Sequence, residues 1–166
     1  GILSIAGTFL NIIFVGDGPS TDELSALCRK AGIEERVFFY GECYDEEMIA
    51  AVLQNSIMTV SPGNVGLTAI QSLSYGVPVI THGNFREQMP EYEAVREGST
   101  GGFFRQGDSL SLSDKIETWV GIMSDAKKRE QVRKNCFRTV ESRYNAANQC
   151  ALIKRRLLAD LFPSKG

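Results

Sequence analysis

Gly63-Asn64-Val65-Gly66 is a flexible turn that runs straight into a helical pattern beginning near Leu67-Thr68. Free backbone N–H groups at a helix start, with the macrodipole behind them, suit a phosphate. Each contact contributes about 0.3–1 kcal/mol when exposed and up to ~2 kcal/mol when partly buried, so a diphosphate needs several. An ordinary βα turn with no ligand fits the same residues, and their spacing leaves the two readings even. His82 is the only histidine. It could act as an acid or base, but a lone loop histidine more often holds structure or faces solvent. Other chemistries are absent. There is no P-loop pattern, and Gly16-Asp17-Gly18 lacks the third glycine of a dinucleotide turn. No serine or cysteine stands in a nucleophile elbow. Cys43 reads as an incidental thiol rather than a nucleophile.

Strands and helices alternate around these turns. Ile12-Ile13-Phe14-Val15 is a continuous apolar run, as a parallel strand buried on both faces should be. Ser20 with Glu23 spells a capping box for a helix whose Leu24, Leu27 and Cys28 form a stripe closed by Gly32. Strands follow at 37–40, 57–60, 77–81 and about 102–104. Helices are expected after Asp45, over about 67–75, and at the end over 110–122, 125–143 and 146–161. Trp119 sits at core spacing with Ile116. Repeated βα units imply a parallel sheet with helices on both faces. Ligands of such sheets bind beyond the strands' carboxyl ends. Four loops qualify: 16–20, 41–45, 61–66 and 82–88.

Composition bounds the rest. The 166 residues suit one domain, with 43% hydrophobic and 23% charged residues. The four cysteines form no CxxC pair, which argues against a zinc site or dense disulfides and fits a reducing compartment. No apolar run is long enough to span a membrane, and no leader pattern opens the chain. The net charge of -2 is unevenly placed: residues 1–83 carry 3 basic and 9 acidic side chains, residues 84–166 carry 15 and 11. The basic surplus after residue 125 reads first as a solvated helix face, and second as a surface for an anionic partner.

The order of the pieces is more specific than any one of them. The GDGP turn, the strand ending Phe39-Tyr40-Gly41 and the Gly66-Leu67 to Gly76-Val77-Pro78-Val79-Ile80 block come first. With the later EGSTGGFF they resemble the carboxyl-terminal half of family 4 glycosyltransferases from about residue 9 to 160. The resemblance implies a Rossmann-like half of the two-domain GT-B fold and a nucleotide-sugar donor of UDP or GDP type. It implies retention at the anomeric carbon, no bound metal and no separate cofactor. The diphosphate would fall on Val65, Gly66, Leu67 and Thr68, with Asn64 also counted among the donor-binding residues, the ribose on Gln71, and the base near Gly16, Gly18, Gly41, Glu42 and Cys43. Arg86 could reach phosphate or sugar hydroxyls, and Asn84 and Gln88 could hydrogen-bond the sugar. No catalytic residue is assigned.

Two departures follow from the same resemblance. Gly63 and Gln71 stand where the family carries two glutamates, so the usual carboxylate contact to the donor sugar cannot come from position 63. The family's first carboxyl-domain strand, which carries an Arg and a Lys for the leaving diphosphate, has no counterpart, and residues 2–6 look like the end of the helix after it. The chain is therefore expected to be a single donor-binding domain, 1–166, lacking its first strand and inactive alone. Its acceptor, a glycan or lipid-linked sugar, would come through an amino-terminal domain, in a cytoplasmic setting of polysaccharide biosynthesis and without nucleic acid. The incomplete sheet would need another strand, a partner chain, a second copy or a rearranged edge. The last helix, with Leu152, Ile153, Leu157, Leu158 and Leu161 among Lys154, Arg155 and Arg156, could touch an anionic membrane. Packing back on the domain is the favoured reading. A non-catalytic nucleotide-sugar-binding or scaffold domain is the alternative. A response-regulator or flavodoxin-type domain is disfavoured, because no acidic cluster or flavin loop is visible.

Overall fold

The computed structural model describes residues 10–145 together with 147, 148, 150, 151, 153 and 154. The expectations for residues 2–6, for most of the last helix and for its lipid-facing leucines lie outside the described residues. The elements run β1 (Ile12–Val15), α1 (Thr21–Lys30), β2 (Val37–Gly41), α2 (Glu46–Gln54), β3 (Thr59–Ser61), α3 (Leu67–Ser74), β4 (Val79–His82), β5 (Gly101–Phe104), α4 (Ser109–Ser124) and α5 (Ala126–Thr139). A short 3-10 turn spans Pro90–Ala94, and α5 runs on into a π-helical turn at Val140–Tyr144.

All strand pairs are parallel, but they form two sheets rather than the one expected: β1-β2 and β3-β4-β5. Among the described residues only β4 has a hydrogen-bonded strand on each side, and its four residues are all buried. β1 was expected to be buried on both faces, and this is corrected. Ile13 and Val15 are 46% and 49% exposed, and Phe38 and Tyr40 of β2 lie open as well. An apolar run reports that a strand suits burial, but coverage depends on what packs against it. On the other face, the Phe14 and Phe39 rings stack with centroids 5.0 Å apart.

Most of the buried core lies around β4, α3, α4 and α5, where Leu73, Val79, Ile80, Ile116, Trp119 and Cys136 pack together. Trp119 is 1% exposed and Ile116 2%, as their spacing predicts. Both α1 and α3 end in the double hydrogen-bond pattern of a Schellman cap, at Gly32 and Gly76. Asp45, Asp108 and Asp125 cap α2, α4 and α5 through their carboxylates. The expected capping box at Ser20 does not form. Ser20 lies at φ -93°, ψ 2° with no side-chain cap bond, outside the extended geometry that aims a capping hydroxyl at the helix. Thr21, the first residue of α1, instead ties the helix start back to the preceding turn, its hydroxyl donating to the Gly18 carbonyl at 2.9 Å.

Candidate functional site

The turn at 61–66 leaves the carboxyl end of β3 and delivers the chain into α3. The N-cap of α3 is Gly66, which offers no side-chain cap, and its first turn carries no acidic residue. Leu67 is 75% exposed and Thr68 is exposed, so the helix start opens to solvent. Gln71 is exposed one turn further, at i+3 and i+4 from Thr68 and Leu67, the spacing that shares a helix face. No Cβ at Gly63 or Gly66 would meet another atom within 4 Å.

Val65 behaves differently. Its side chain is fully buried, and its N–H donates to Gln88 Oε1 at 2.8 Å. The amide of Gln88 donates in turn to Thr81 Oγ1 and to the His82 carbonyl, each at 2.9 Å. Thr81 Oγ1 donates to the Gly63 carbonyl at 3.3 Å. His82 is completely buried at the end of β4. The Asn84 N–H donates to its Nδ1, so the proton sits on Nε2 and faces Asn64 Oδ1 at 3.3 Å. The structural reading of this histidine holds, and the solvent-exposed one does not. The Asn84 side chain donates to Gln106, 2.7 Å away, and Arg86 is exposed.

A second group forms at the ends of β1 and β2. The Gly16 N–H donates to the Gly41 carbonyl at 2.7 Å. Their φ values of 123° and 81° are open only to glycine without strain. The Asp17 carboxylate accepts from the Gly18 N–H at 2.7 Å and from the Thr21 hydroxyl at 3.1 Å, stiffening the GDGP turn. A cavity of about 360 Å³ lies against this turn, with Phe14, Phe39 and Leu24 among its apolar walls. Glu42 is exposed, and Cys43 is half-buried with its sulfur 3.8 Å from the Asp45 carbonyl. Among the described residues, no hydrogen bond joins the Gly16–Gly41 group to the 61–66 turn.

The Gln88 contacts escaped sequence reasoning, because nothing in the spacing of Thr81, His82 and Gln88 marks a shared turn whose bonded residues lie 18 to 23 positions upstream. Among the described residues, no group of three or more His, Cys, Asp or Glu could hold a metal ion. Likewise, no described helix is long and apolar enough to cross a membrane.

Residues 5–138 match the family model described as glycosyl transferases group 1. The chain belongs to this family. A curated relative, the N-acetyl-alpha-D-glucosaminyl L-malate synthase of Bacillus anthracis, is 27% identical over 104 residues, 63% of this chain and 26% of that protein. The chain spans about a quarter of the length of the curated relatives it matches. A glycosyltransferase from Rickettsia africae superposes with a TM-score of 0.76 at 14% identity, over 98% of this chain and 43% of that one. Anabaena HepE in complex with UDP superposes with a TM-score of 0.68 at 22% identity, over 89% and 41%. The chain thus has the fold of one half of the GT-B architecture. Its parallel strands are flanked by helices, and the candidate loops gather at their carboxyl ends.

Proposed function

We propose that the chain is the donor-binding part of a retaining glycosyltransferase that takes its sugar from a UDP- or GDP-type nucleotide. One observation carries the reading: the uncapped start of α3 at the carboxyl end of β3, with Gln71 on the same helix face. Gly66, Leu67 and Thr68 would donate backbone N–H groups to the diphosphate, where the macrodipole favours negative charge. Gln71 would hydrogen-bond the ribose without adding charge. The base would rest near Gly16, Gly18, Gly41, Glu42 and Cys43, beside the cavity under the GDGP turn. HepE was solved with UDP and with UDP-glucose, which supports this donor class.

The nucleoside diphosphate departs with the electron pair of its bond to the anomeric carbon, which the acceptor oxygen then attacks, so stabilising that leaving group is a main source of rate. The helix start supplies part of that stabilisation. No metal is invoked, and no side chain is assigned to catalysis. The acceptor, a glycan or lipid-linked sugar of polysaccharide biosynthesis, would be presented by an amino-terminal domain in the cytoplasm or at a membrane surface. Ile153 and Lys154 are exposed, as such a surface contact would need. By itself the 166-residue chain is a single donor domain and is expected to transfer no sugar.

Gly63 and Gln71, in place of two glutamates, favour a second reading as a non-catalytic nucleotide-sugar-binding or scaffold domain. Titration calorimetry of the full-length protein with UDP, GDP and ADP tests the proposal. Binding of one names the base; binding of none removes the donor-site reading and leaves a scaffold. Radiolabelled sugar transfer by the full-length protein then separates enzyme from binding module.

A further inference from the structure

We infer that Gln88 is a positioning residue for the donor diphosphate: it pins the 61–66 turn so that the open N–H groups of α3 are presented in a fixed arrangement. The inference rests on the donor-site reading above and adds the part that holds the site in shape. Both N–H donors and one acceptor position of the Gln88 amide are used within the chain. Its oxygen accepts from the Val65 N–H at 2.8 Å, and its nitrogen donates to Thr81 Oγ1 and to the His82 carbonyl at 2.9 Å each. Thr81 and His82 belong to β4, the central strand of its sheet, and both are completely buried. Gln88 thus ties the turn to the most rigid element nearby. Two further bonds run the same way, from Thr81 Oγ1 to the Gly63 carbonyl and from His82 Nε2 to Asn64 Oδ1. Gly63, Asn64 and Val65 are held one after another.

The consequence falls on the next residues. The Val65 N–H is taken by Gln88 and so does not serve an incoming anion, while those of Gly66, Leu67 and Thr68 follow a point that cannot swing. A turn with glycines at 63 and 66 would otherwise sample many backbone states. Any anion bound there would have to order it first, at the expense of affinity. Mere packing at position 88 would be served by an apolar side chain; an amide with every hydrogen bond aimed at the turn and its anchor serves orientation.

The test compares wild-type full-length protein with Gln88→Met, which keeps length and bulk but removes the amide. Thr81→Val, isosteric and β-branched, serves as a second variant should the first not fold. Gln106→Ala, which cuts only the contacts to Asn84 and Glu87, is the control. Calorimetry uses the preferred nucleoside diphosphate and the matching monophosphate. Hydrogen–deuterium exchange follows the peptide covering residues 62–68. Gln88→Met should raise exchange in that peptide and weaken the diphosphate about tenfold, with the monophosphate held within about twofold and the control unchanged. Equal weakening of both nucleotides would mean a general packing role and overturn the inference. So would faster exchange with no change in the diphosphate-to-monophosphate ratio. If wild type binds neither nucleotide, the donor-site reading fails, and the positioning role fails with it.

Discussion

A Cβ at Gly101 would run into the carbonyl oxygen of Val79 across the β4-β5 pair, and one at Gly102 would lie 2.7 Å from Trp119 Nε1. Thr100, completely buried, donates its hydroxyl to the Ala94 carbonyl and accepts the Arg96 N–H, both at 2.8 Å. The Thr100-Gly101-Gly102 part of the EGSTGGFF run is therefore architectural: the hydroxyl closes one turn and the glycines let two layers approach. Gly101→Ala should destabilise the chain by about 3 kcal/mol or more, beyond the usual range for overpacking because backbone is struck rather than a movable side chain. Trp119→Ala should cost about 3–5 kcal/mol. Urea unfolding midpoints at constant slope check both. Thiol chemistry makes a third residue-scale prediction. Burial pushes the Cys136 thiol up to about 12, whereas Cys150 is exposed. In a timed thiol-reagent titration at neutral pH, Cys150 should react at once and Cys136 only after unfolding. Thr100-Gly101 was readable as a motif, but why those two types are needed was not. Their partners at 79, 94, 96 and 119 come near only when the chain is folded.

The helices show which local signals carry through. Asp45, Asp108 and Asp125 sit just ahead of helical runs and do cap them, since an N-cap depends only on the next three residues. Ser20 spells the same signal, yet the GDGP turn sets its backbone angles first. Asp108 and Asp125 are both held below the ordinary carboxylate range, chiefly by the backbone N–H groups of Ser111 and Lys128. The sign follows from linkage. A carboxylate whose folded pKa is depressed adds stability that is complete above its unfolded value of about 3.9. That stability is lost as pH falls through the lower folded value. Melting temperatures from pH 7 down to about 3 should fall for wild type, and the acid limb should flatten in Asp108→Asn/Asp125→Asn. An unchanged limb would mean that the caps contribute nothing to acid sensitivity. α3 belongs to the other class. Gly66 at its N-cap forgoes a side-chain cap, and an element that leaves its own donors unmatched is suited to a ligand that matches them.

For the molecule as a whole, the break between β1-β2 and β3-β4-β5 matters most. Among the described residues β1 and β3 each have one strand neighbour, and the open face of the first sheet shows Ile13, Val15, Phe38 and Tyr40. Unpaired strand edges beside apolar surface invite pairing with another strand. Studied in isolation, the 166-residue chain should self-associate with rising concentration in analytical ultracentrifugation. Phe38→Lys, which charges the open face, should shift it toward monomer. A concentration-independent monomer in both forms would sink this expectation. Hydrogen exchange should also be faster at Ile13 and Val15 than at Ile80 and Thr81, which β3 and β5 flank.

The order of strands and helices, the capping Asp45 and the turn that starts α3 were all legible in the residues themselves. Each depends on neighbours a few positions away, and local backbone preference acts over that distance. The same reach made Trp119 and Ile116 recognisable as core, because helical periodicity is also local. Burial was not legible in this way: Val79-Ile80 and Ile13-Phe14-Val15 are similar apolar runs, yet only the first is enclosed. Nor was the bond from Gln88 to Val65, 23 residues apart. Whether an apolar strand is covered, and which amide reaches which turn, is decided by what the folded chain brings alongside. Periodicity names the face that seeks a partner; only tertiary packing supplies one.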